Sequence, residues 1–176
     1  MGLEKLWDVL ISIWDMVCPL EVLRVYERGV RLRGGHYVET LGPGWYAKIP
    51  LWDTIMRDNV VTRTKHMSSQ PLETIDGKTV QVAGILRFQI CDIKKALLEV
   101  EGVDDAIRDI GSLVVADAVK RATYAELRSA EFCDVLTKAA RKRGWRYGIE
   151  VEELGLYSLS PGKTLVVVNP SARQQT

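Results

Sequence analysis

The alternation of apolar and polar residues over 79–90, TVQVAGILRFQI, constrains the fold more than any other feature. Its apolar side chains share one face of an extended chain and its polar ones the other: Val80, Val82, Leu86, Phe88 and Ile90 against Gln81, Arg87 and Gln89. A period of two is typical of an antiparallel strand with one face in a core and the other in water. A slip of one residue would turn the whole apolar set outward, so the register of this strand is well specified.

Turn signals divide the stretch before this strand into further strands. Gly34-Gly35 predicts a tight turn, and Asp76-Gly77 predicts a two-residue hairpin turn. Gly42-Pro43-Gly44 predicts a chain reversal, because proline presets φ and glycine admits positive φ. We also expect the first strand region to break at Arg28-Gly29. This part of the chain is therefore expected to be all β.

Helical patterns follow residue 90. Asp92 is placed to N-cap a short helix that ends at Gly102, a longer helix is predicted over 103–122, and Ser129 is placed to N-cap a third that ends at Gly144. Each of the two longer helices has an apolar stripe at helical spacing. In the second helix the stripe is Val103, Ala106, Ile107, Ile110, Leu113 and Val114, and in the third it is Phe132, Val135, Leu136, Ala139 and Ala140.

Residues 146–159 alternate again, which predicts a closing strand with a bulge near Gly155. Strands come first, helices next and one strand last. That order is typical of an α+β domain.

The pattern of segment 3–17, LEKLWDVLISIWDMV, predicts an amphipathic helix whose apolar arc exceeds half the circumference. It is too short to span a bilayer, and Pro19 is expected to end it. From the residues alone two alternatives are open. The helix packs in a core or an oligomer contact, or it lies in a membrane interface with Trp7 and Trp14 at headgroup depth.

No constellation of residues points to catalysis. The two histidines and three cysteines have no metal-ligand or CxxC spacing, and the glycines lie in hairpin turns and not between a strand and a helix. The basic stretch Lys138–Arg146 ends a helix, where cations suit the helix dipole, and 24 Lys and Arg against 23 Asp and Glu give no overall field. We therefore expect no enzyme, no catalytic residue, no cofactor, no metal and no nucleic-acid partner.

Four motifs in order resemble one family. VYERGV at 25–30, LGPG at 41–44 with Ile49-Pro50 after it, TIDGKTVQV at 74–82 and YGIEV at 147–151 resemble the SPFH, or band 7, domain of stomatin, prohibitin, flotillin and HflK–HflC. The residues that carry the resemblance, as structural motif positions, are Glu27, Arg28, Gly29, Gly42, Pro43, Gly44, Pro50, Asp76, Gly77 and Gly148.

The resemblance implies a strongly curved antiparallel sheet with helices packed along it, over residues 20–160. It also implies a membrane-associated scaffold that self-assembles laterally, often into rings, organises lipid microdomains and modulates partners such as membrane proteases or channels. Residues 1–19 occupy the place of the family's membrane-attaching segment, which favours the interfacial helix on the cytoplasmic face. The expected membrane-contact residues are Leu3, Leu6, Trp7, Leu10, Ile13, Trp14 and Val17. The alternative is a soluble homo-oligomeric interaction module that uses the same helix for protein contacts.

The C-terminal residues 161–176 depart from the family pattern. Family members normally continue into a long coiled coil, whereas this sequence reaches Thr176 without heptads. We therefore expect assembly without coiled-coil walls in a short member of the family. The run Leu165–Val168 is expected to add a strand at a sheet edge, in the same subunit or in a neighbour.

Overall fold

The computed structural model describes residues 20–161, with the side chains of Ala130 and Pro161 excepted. The predicted helix over 3–17 and the run Leu165–Val168 lie outside the described residues. In chain order the elements are β1 (Leu20–Leu23), β2 (Glu27–Arg33), β3 (His36–Leu41), β4 (Gly44–Ala47), β5 (Asp53–Asn59), β6 (Arg63–His66), β7 (Gln70–Glu73), β8 (Thr79–Ile90), α1 (Ile93–Leu98), α2 (Val103–Val119), α3 (Ala130–Gly144) and β9 (Ile149–Pro161). Short 3₁₀ turns precede and follow α3, at Glu126–Arg128 and Trp145–Tyr147.

All described strand pairs are antiparallel, and they form three sheets. β1 pairs with β4, and β2 lies between β3 and β5. β8 is the centre of the third sheet, with β9 along one edge and β6 and β7 sharing the other. The helices α2 and α3 pack on this sheet, so the predicted α+β class with antiparallel strands and packed helices is confirmed.

The alternation in β8 produces the core. Val80, Val82, Leu86, Phe88 and Ile90 are all buried, and they pack with Ile107 and Val115 of α2, Leu136 of α3 and Ile149, Val151 and Leu154 of β9. Burying such side chains contributes roughly 1.5–3 kcal/mol each before conformational entropy is subtracted. The register predicted from the period of two is the one observed.

The break between the first two strands lies at Arg24–Tyr26, so its prediction at Arg28-Gly29 is wrong. A turn there is closed by the Glu27 amide, which donates to the Arg24 carbonyl at 2.9 Å. Arg28 and Gly29 lie inside β2. Glycine is needed at position 29 for a close approach, because a Cβ there would lie 2.6 Å from the Met56 carbonyl oxygen of β5.

The Gly34-Gly35 turn is confirmed, with both residues at positive φ between β2 and β3. The Asp76-Gly77 turn connects β7 to β8 as predicted, but Glu73 pairs with Thr79, so five residues intervene and not two. Thr74 closes this longer loop, since its amide donates to the Lys78 carbonyl at 3.0 Å.

Asp92 and Ser129 cap α1 and α3 through their side chains, as predicted. The apolar stripe of α2 is rotated from the predicted one, because Leu113 is 55% exposed while Gly111 is buried. A Cβ at Gly111 would lie 2.7 Å from the Met67 sulfur and 3.0 Å from Leu86 Cδ1, so the helix lies close to β8 at this glycine. Leu113, about 200° further round the helix, consequently faces outward. Val135 on α3 is 57% exposed for want of a facing element in the described chain.

The helix α3 ends at Gly144 as predicted, whereas the glycine at positive φ is Gly148, after the 3₁₀ turn. Gly144 is helical and is required for packing, because its Cβ would lie 2.9 Å from the Ile149 carbonyl oxygen. β9 carries two register shifts, at Glu152 and Tyr157, which lie on either side of the predicted bulge position at Gly155.

Candidate interaction surfaces

One face of the small β1–β4 sheet is apolar and turned outward. Val22 lies opposite Trp45 and Leu20 lies opposite Ala47, so these four side chains share a face. All four are exposed, and Trp45 is 74% exposed. The other face of β1 holds the buried Leu23 and Glu21, whose carboxylate is 3.1 Å from Lys48 Nζ. Strand alternation therefore separates a protein-facing side from an apolar outer side.

The loop that follows β4 carries further exposed apolar side chains. Leu51 is 94% exposed and Trp52 69% exposed, and Ile49 is exposed as well. Leu51 has φ +71°, and in the described chain it is the only residue other than glycine at positive φ. Such a conformation costs of order 1 kcal/mol or more and persists only where neighbours fix it. We call the set Leu20, Val22, Trp45, Ile49, Leu51 and Trp52 the apolar tip.

An ion pair fixes the shape of this loop. Arg33 Nε donates to Asp53 Oδ1 at 2.7 Å, and Arg33 Nη2 donates to Asp53 Oδ2 at 3.1 Å. The Ile49 amide also donates to Asp53 Oδ2 at 3.1 Å, and the Asp53 amide donates to the Ile49 carbonyl at 2.8 Å. The guanidinium of Arg33 and the Ile49 amide together lower the pKa of Asp53 to about 2. No local sequence pattern indicates this pair, because its members lie twenty residues apart on neighbouring strands.

The first motif of the resemblance builds a turn and a strand contact. Glu27 accepts a hydrogen bond from the Arg24 amide at 2.8 Å, which ties down the turn before β2. Gly29 permits the close approach of β5. The side chain of Arg28, between Glu27 and Gly29 in the sequence, is exposed. The second motif redirects the chain, since Gly42-Pro43-Gly44 leads from β3, which pairs with β2, into β4, which pairs with β1. Pro50 lies in the loop of the apolar tip.

The third motif joins the β7–β8 turn to the end of α2. Asp76 accepts hydrogen bonds from the Thr74 hydroxyl and, at 3.3 Å, from the Tyr124 amide. The Thr74 hydroxyl is the main cause of the lowered pKa of Asp76. Gly77 takes the positive φ that the turn requires, and the Ile75 amide donates to the Ala122 carbonyl at 3.2 Å.

The fourth motif joins the ends of β8 and β9. The Gly148 carbonyl accepts hydrogen bonds from the amides of Cys91 and Asp92 at 2.9 and 3.0 Å. Gly148 has φ +71°, and a Cβ there would lie 2.4 Å from the Asp92 carbonyl oxygen. The partial burial of Cys91 raises the pKa of its thiol. The ten motif residues thus shape separate turns and contacts, and within residues 20–161 they do not converge on one pocket.

The basic stretch Lys138–Arg146 is used partly inside the fold. Arg143 Nη2 lies 2.7 Å from Asp117 Oδ2 of α2, and Arg141 Nε donates to the Val151 carbonyl of β9 at 3.0 Å. Thr137, one turn earlier on α3, accepts a hydrogen bond from the Leu154 amide at 3.0 Å. These contacts cover part of the outer edge of β9, a function that sequence patterns did not indicate.

In residues 20–161 there is no helix with the length and hydropathy needed to cross a bilayer.

In the same range, no group of three or more His, Cys, Asp or Glu side chains is arranged to hold a metal ion. The seven expected membrane-contact residues, Leu3, Leu6, Trp7, Leu10, Ile13, Trp14 and Val17, lie outside the described part of the chain.

The sequence is similar to stomatin-type proteins of archaea and mammals. It is 25% identical over 166 residues to an uncharacterised protein of Methanocaldococcus jannaschii, a match that covers 88% of this chain and 80% of that protein. It is 26% identical over 114 residues to a stomatin homolog of Pyrococcus horikoshii, covering 65% of this chain and 43% of the relative. It is 23% identical over 121 residues to mouse stomatin, covering 68% of this chain and 42% of the relative.

The chain thus spans less than half the length of these two stomatin relatives. The family model described as SPFH domain / Band 7 family matches residues 21–173, which include every strand and helix of the structure from Glu21 onward. Its four motifs occupy the turns and strand contacts that define the fold described above. The chain therefore belongs to the SPFH domain / Band 7 family.

Proposed function

We propose that this chain is a membrane-associated scaffold that assembles side by side on the cytoplasmic face of a membrane and organises lipids or membrane-protein partners there. The observation that carries the proposal is the apolar tip, an exposed apolar surface built on β1, β4 and the loop after β4. Surfaces of this kind mark contacts with a membrane or another protein.

The position of the apolar tip supports lipid as the surface it meets. Leu20 directly follows Pro19 and the segment 3–17, so the two apolar stretches are adjacent in sequence. Four of the five tryptophans belong to these two elements: Trp7, Trp14, Trp45 and Trp52. Tryptophan is enriched at membrane–water interfaces, where its ring lies at the level of the headgroups.

Lateral assembly is part of the proposal because one such contact with a bilayer is weak. A single short helix with a small apolar patch binds a bilayer reversibly, as a single lipid chain does. Several linked copies raise the overall affinity by orders of magnitude without any new contact. The partners that an assembled scaffold would organise, such as a membrane protease or channel, are implied by the family resemblance.

Flotation with phosphatidylcholine vesicles tests the proposal. We expect the wild-type chain to float with the vesicles and the double variant Trp45→Glu with Trp52→Glu to remain at the bottom of the gradient. The matched control is Leu113→Glu with Val135→Glu, which places the same two charges at exposed apolar residues of the helices and should float.

Two results would contradict the proposal. One is equal flotation of the wild type and the Trp45/Trp52 variant. The other is a wild-type chain that forms a defined oligomer in lipid-free light scattering and does not float, which would support the soluble homo-oligomeric interaction module.

A further inference from the structure

The strand β9 has two different edges. One edge pairs with β8 from Ile149 to Pro161. The other is covered over its first half by side chains of α3: Arg141 donates to the carbonyls of Val151 and Glu152 at 3.0 and 3.3 Å, and Thr137 accepts from the Leu154 amide. Beyond Leu154, no described hydrogen bond from α3 reaches this edge.

The register shows which backbone groups of the second half point outward. The N–H and C=O of one residue in an antiparallel strand point to the same side, and the side alternates along the strand. Leu154 points outward to Thr137, so Leu156, two residues on, points outward as well. Leu156 lies opposite Gly84, and Leu159 lies opposite Val82. Because Val82 and Gly84 are two residues apart on β8, Leu159 points outward as well, despite the register shift at Tyr157.

These outward groups form a strand-pairing template. Exposed edges with free amides and carbonyls attract further strands, and folded proteins usually cover them. The covering by α3 ends at Leu154, which leaves the stretch from Leu156 to Leu159 without a described strand or helix partner on this side. Leu156 and Leu159 pack against the core, so this stretch is held in place and does not simply fray.

We infer that the run Leu165–Val168 of the same chain pairs antiparallel with the outer edge of β9 and completes the third sheet as its outermost strand. The run is rich in β-branched residues, which favour strands. It follows the end of β9 after only three residues, and Pro161-Gly162 supplies turn residues. A segment tethered this closely meets the edge at a high effective concentration, which favours the same chain over a second copy.

The length of the run matches the uncovered edge. If the chain reverses at Pro161-Gly162, Leu165 falls opposite Ser158 and Asn169 falls opposite Leu154. Pro170 then ends the strand, since it has no N–H to pair, at the residue whose amide Thr137 already binds. The new strand and the side chains of α3 would together cover the whole outer edge of β9.

Hydrogen–deuterium exchange of the full-length chain tests the inference with two matched variants, Val166→Pro and Val167→Pro. Amides of neighbouring strand residues point to opposite sides, so only one of the two prolines removes a hydrogen bond to β9. We expect the Leu156 amide, which lies opposite Val167 in this register, to be protected in the wild type, to exchange about tenfold faster in one variant and to stay near the wild-type rate in the other. The exchange of Phe88 in the core should be the same in all three chains, which shows that the domain remains folded.

Three outcomes would overturn the inference. These are an unprotected Leu156 amide in the wild type, equal exchange of this amide in both variants, and protection that increases with protein concentration. The last would assign the run to the edge of a second copy instead of its own.

Discussion

Arg33 donates two parallel hydrogen bonds to the Asp53 carboxylate, at 2.7 and 3.1 Å. The same carboxylate accepts a hydrogen bond from the Ile49 amide, in the loop that carries Leu51 and Trp52. The shape of the apolar tip therefore depends on the charge of one buried aspartate. The ionic contact comes from the neighbouring hairpin, since Arg33 ends β2, which pairs with both β3 and β5.

The pair makes stability depend on pH in a defined direction. The pKa of Asp53 is about 2 in the folded chain and near 4 in the unfolded one, so the unfolded chain takes up the proton first as the pH falls. The stabilisation is complete above about pH 5 and is lost between about pH 4 and pH 2. We expect the Tm of the wild type to exceed that of Asp53→Asn at pH 6, and the difference to shrink in this acidic window. A difference that grows towards pH 2 would contradict the assignment.

Two glycines of the family motifs differ in what they tolerate. We expect Gly29→Ala to lower the free energy of unfolding by about 1–3 kcal/mol, because its Cβ would meet the Met56 carbonyl oxygen at 2.6 Å. Gly42→Ala meets no atom within 4 Å and should be neutral or stabilising by less than about 1 kcal/mol. Urea unfolding of both variants measures the difference, and equal destabilisation would refute it.

The rotation of α2 can be measured by substitution. Ile107 is fully buried, so Ile107→Ala should cost about 2–5 kcal/mol of unfolding free energy. Leu113→Ala removes a largely exposed side chain and should change stability by no more than about 0.5 kcal/mol. Comparable losses at the two positions would favour the stripe that spacing alone predicts.

The hydroxyl of Thr137 should protect β9 from solvent. Thr137→Val keeps the shape but leaves the Leu154 amide without its acceptor, which should cost about 1 kcal/mol and speed the exchange of that amide. Thr137→Ser retains the hydroxyl and serves as the control. Unchanged exchange of Leu154 in the valine variant would show that the contact does not protect the edge.

The N-terminal segment gives a separate prediction about membranes. Trp7→Glu with Trp14→Glu should move the chain from the membrane to the soluble fraction of a cell lysate, with the circular dichroism of the β-rich domain retained. The charged residues of segment 3–17 are mostly acidic, so adding anionic lipid to vesicles should not strengthen binding of the wild type. A double variant that still sediments with membranes would contradict the interfacial helix.

The sequence predicted the elements whose pattern is repeated along the chain. The alternation in β8 specified its buried face, and the caps Asp92 and Ser129 marked two helix starts, because these signals are local. The rotation of α2 was not predictable in this way. It depends on the meeting of Gly111 with Met67, 44 positions apart in the sequence, and spacing within one helix carries no information about the partner.

The same distinction applies to the interaction surfaces. Glu27, Asp76 and Gly148 were recognised from short motifs, and the structure assigns each a contact at a turn or a strand end. The apolar tip was missed, although Trp45, Leu51 and Trp52 are visible in the sequence, because tryptophan and leucine next to a strand are ordinarily core residues. The folded structure shows instead that all three side chains are exposed.

The pairing of β8 with β9 also constrains the order in which parts of the chain can fold during synthesis. This ladder joins residues separated by 59 positions at one end, Ile90 to Ile149, and by 81 at the other, Val80 to Pro161. Contacts this distant in sequence slow folding, because the loop between them must close before they stabilise anything. During synthesis, the N-terminal segment and the apolar tip are made long before β9 exists. A nascent chain therefore presents its N-terminal segment and its apolar tip while its core is still open, so under the proposed function it meets the bilayer before folding is finished.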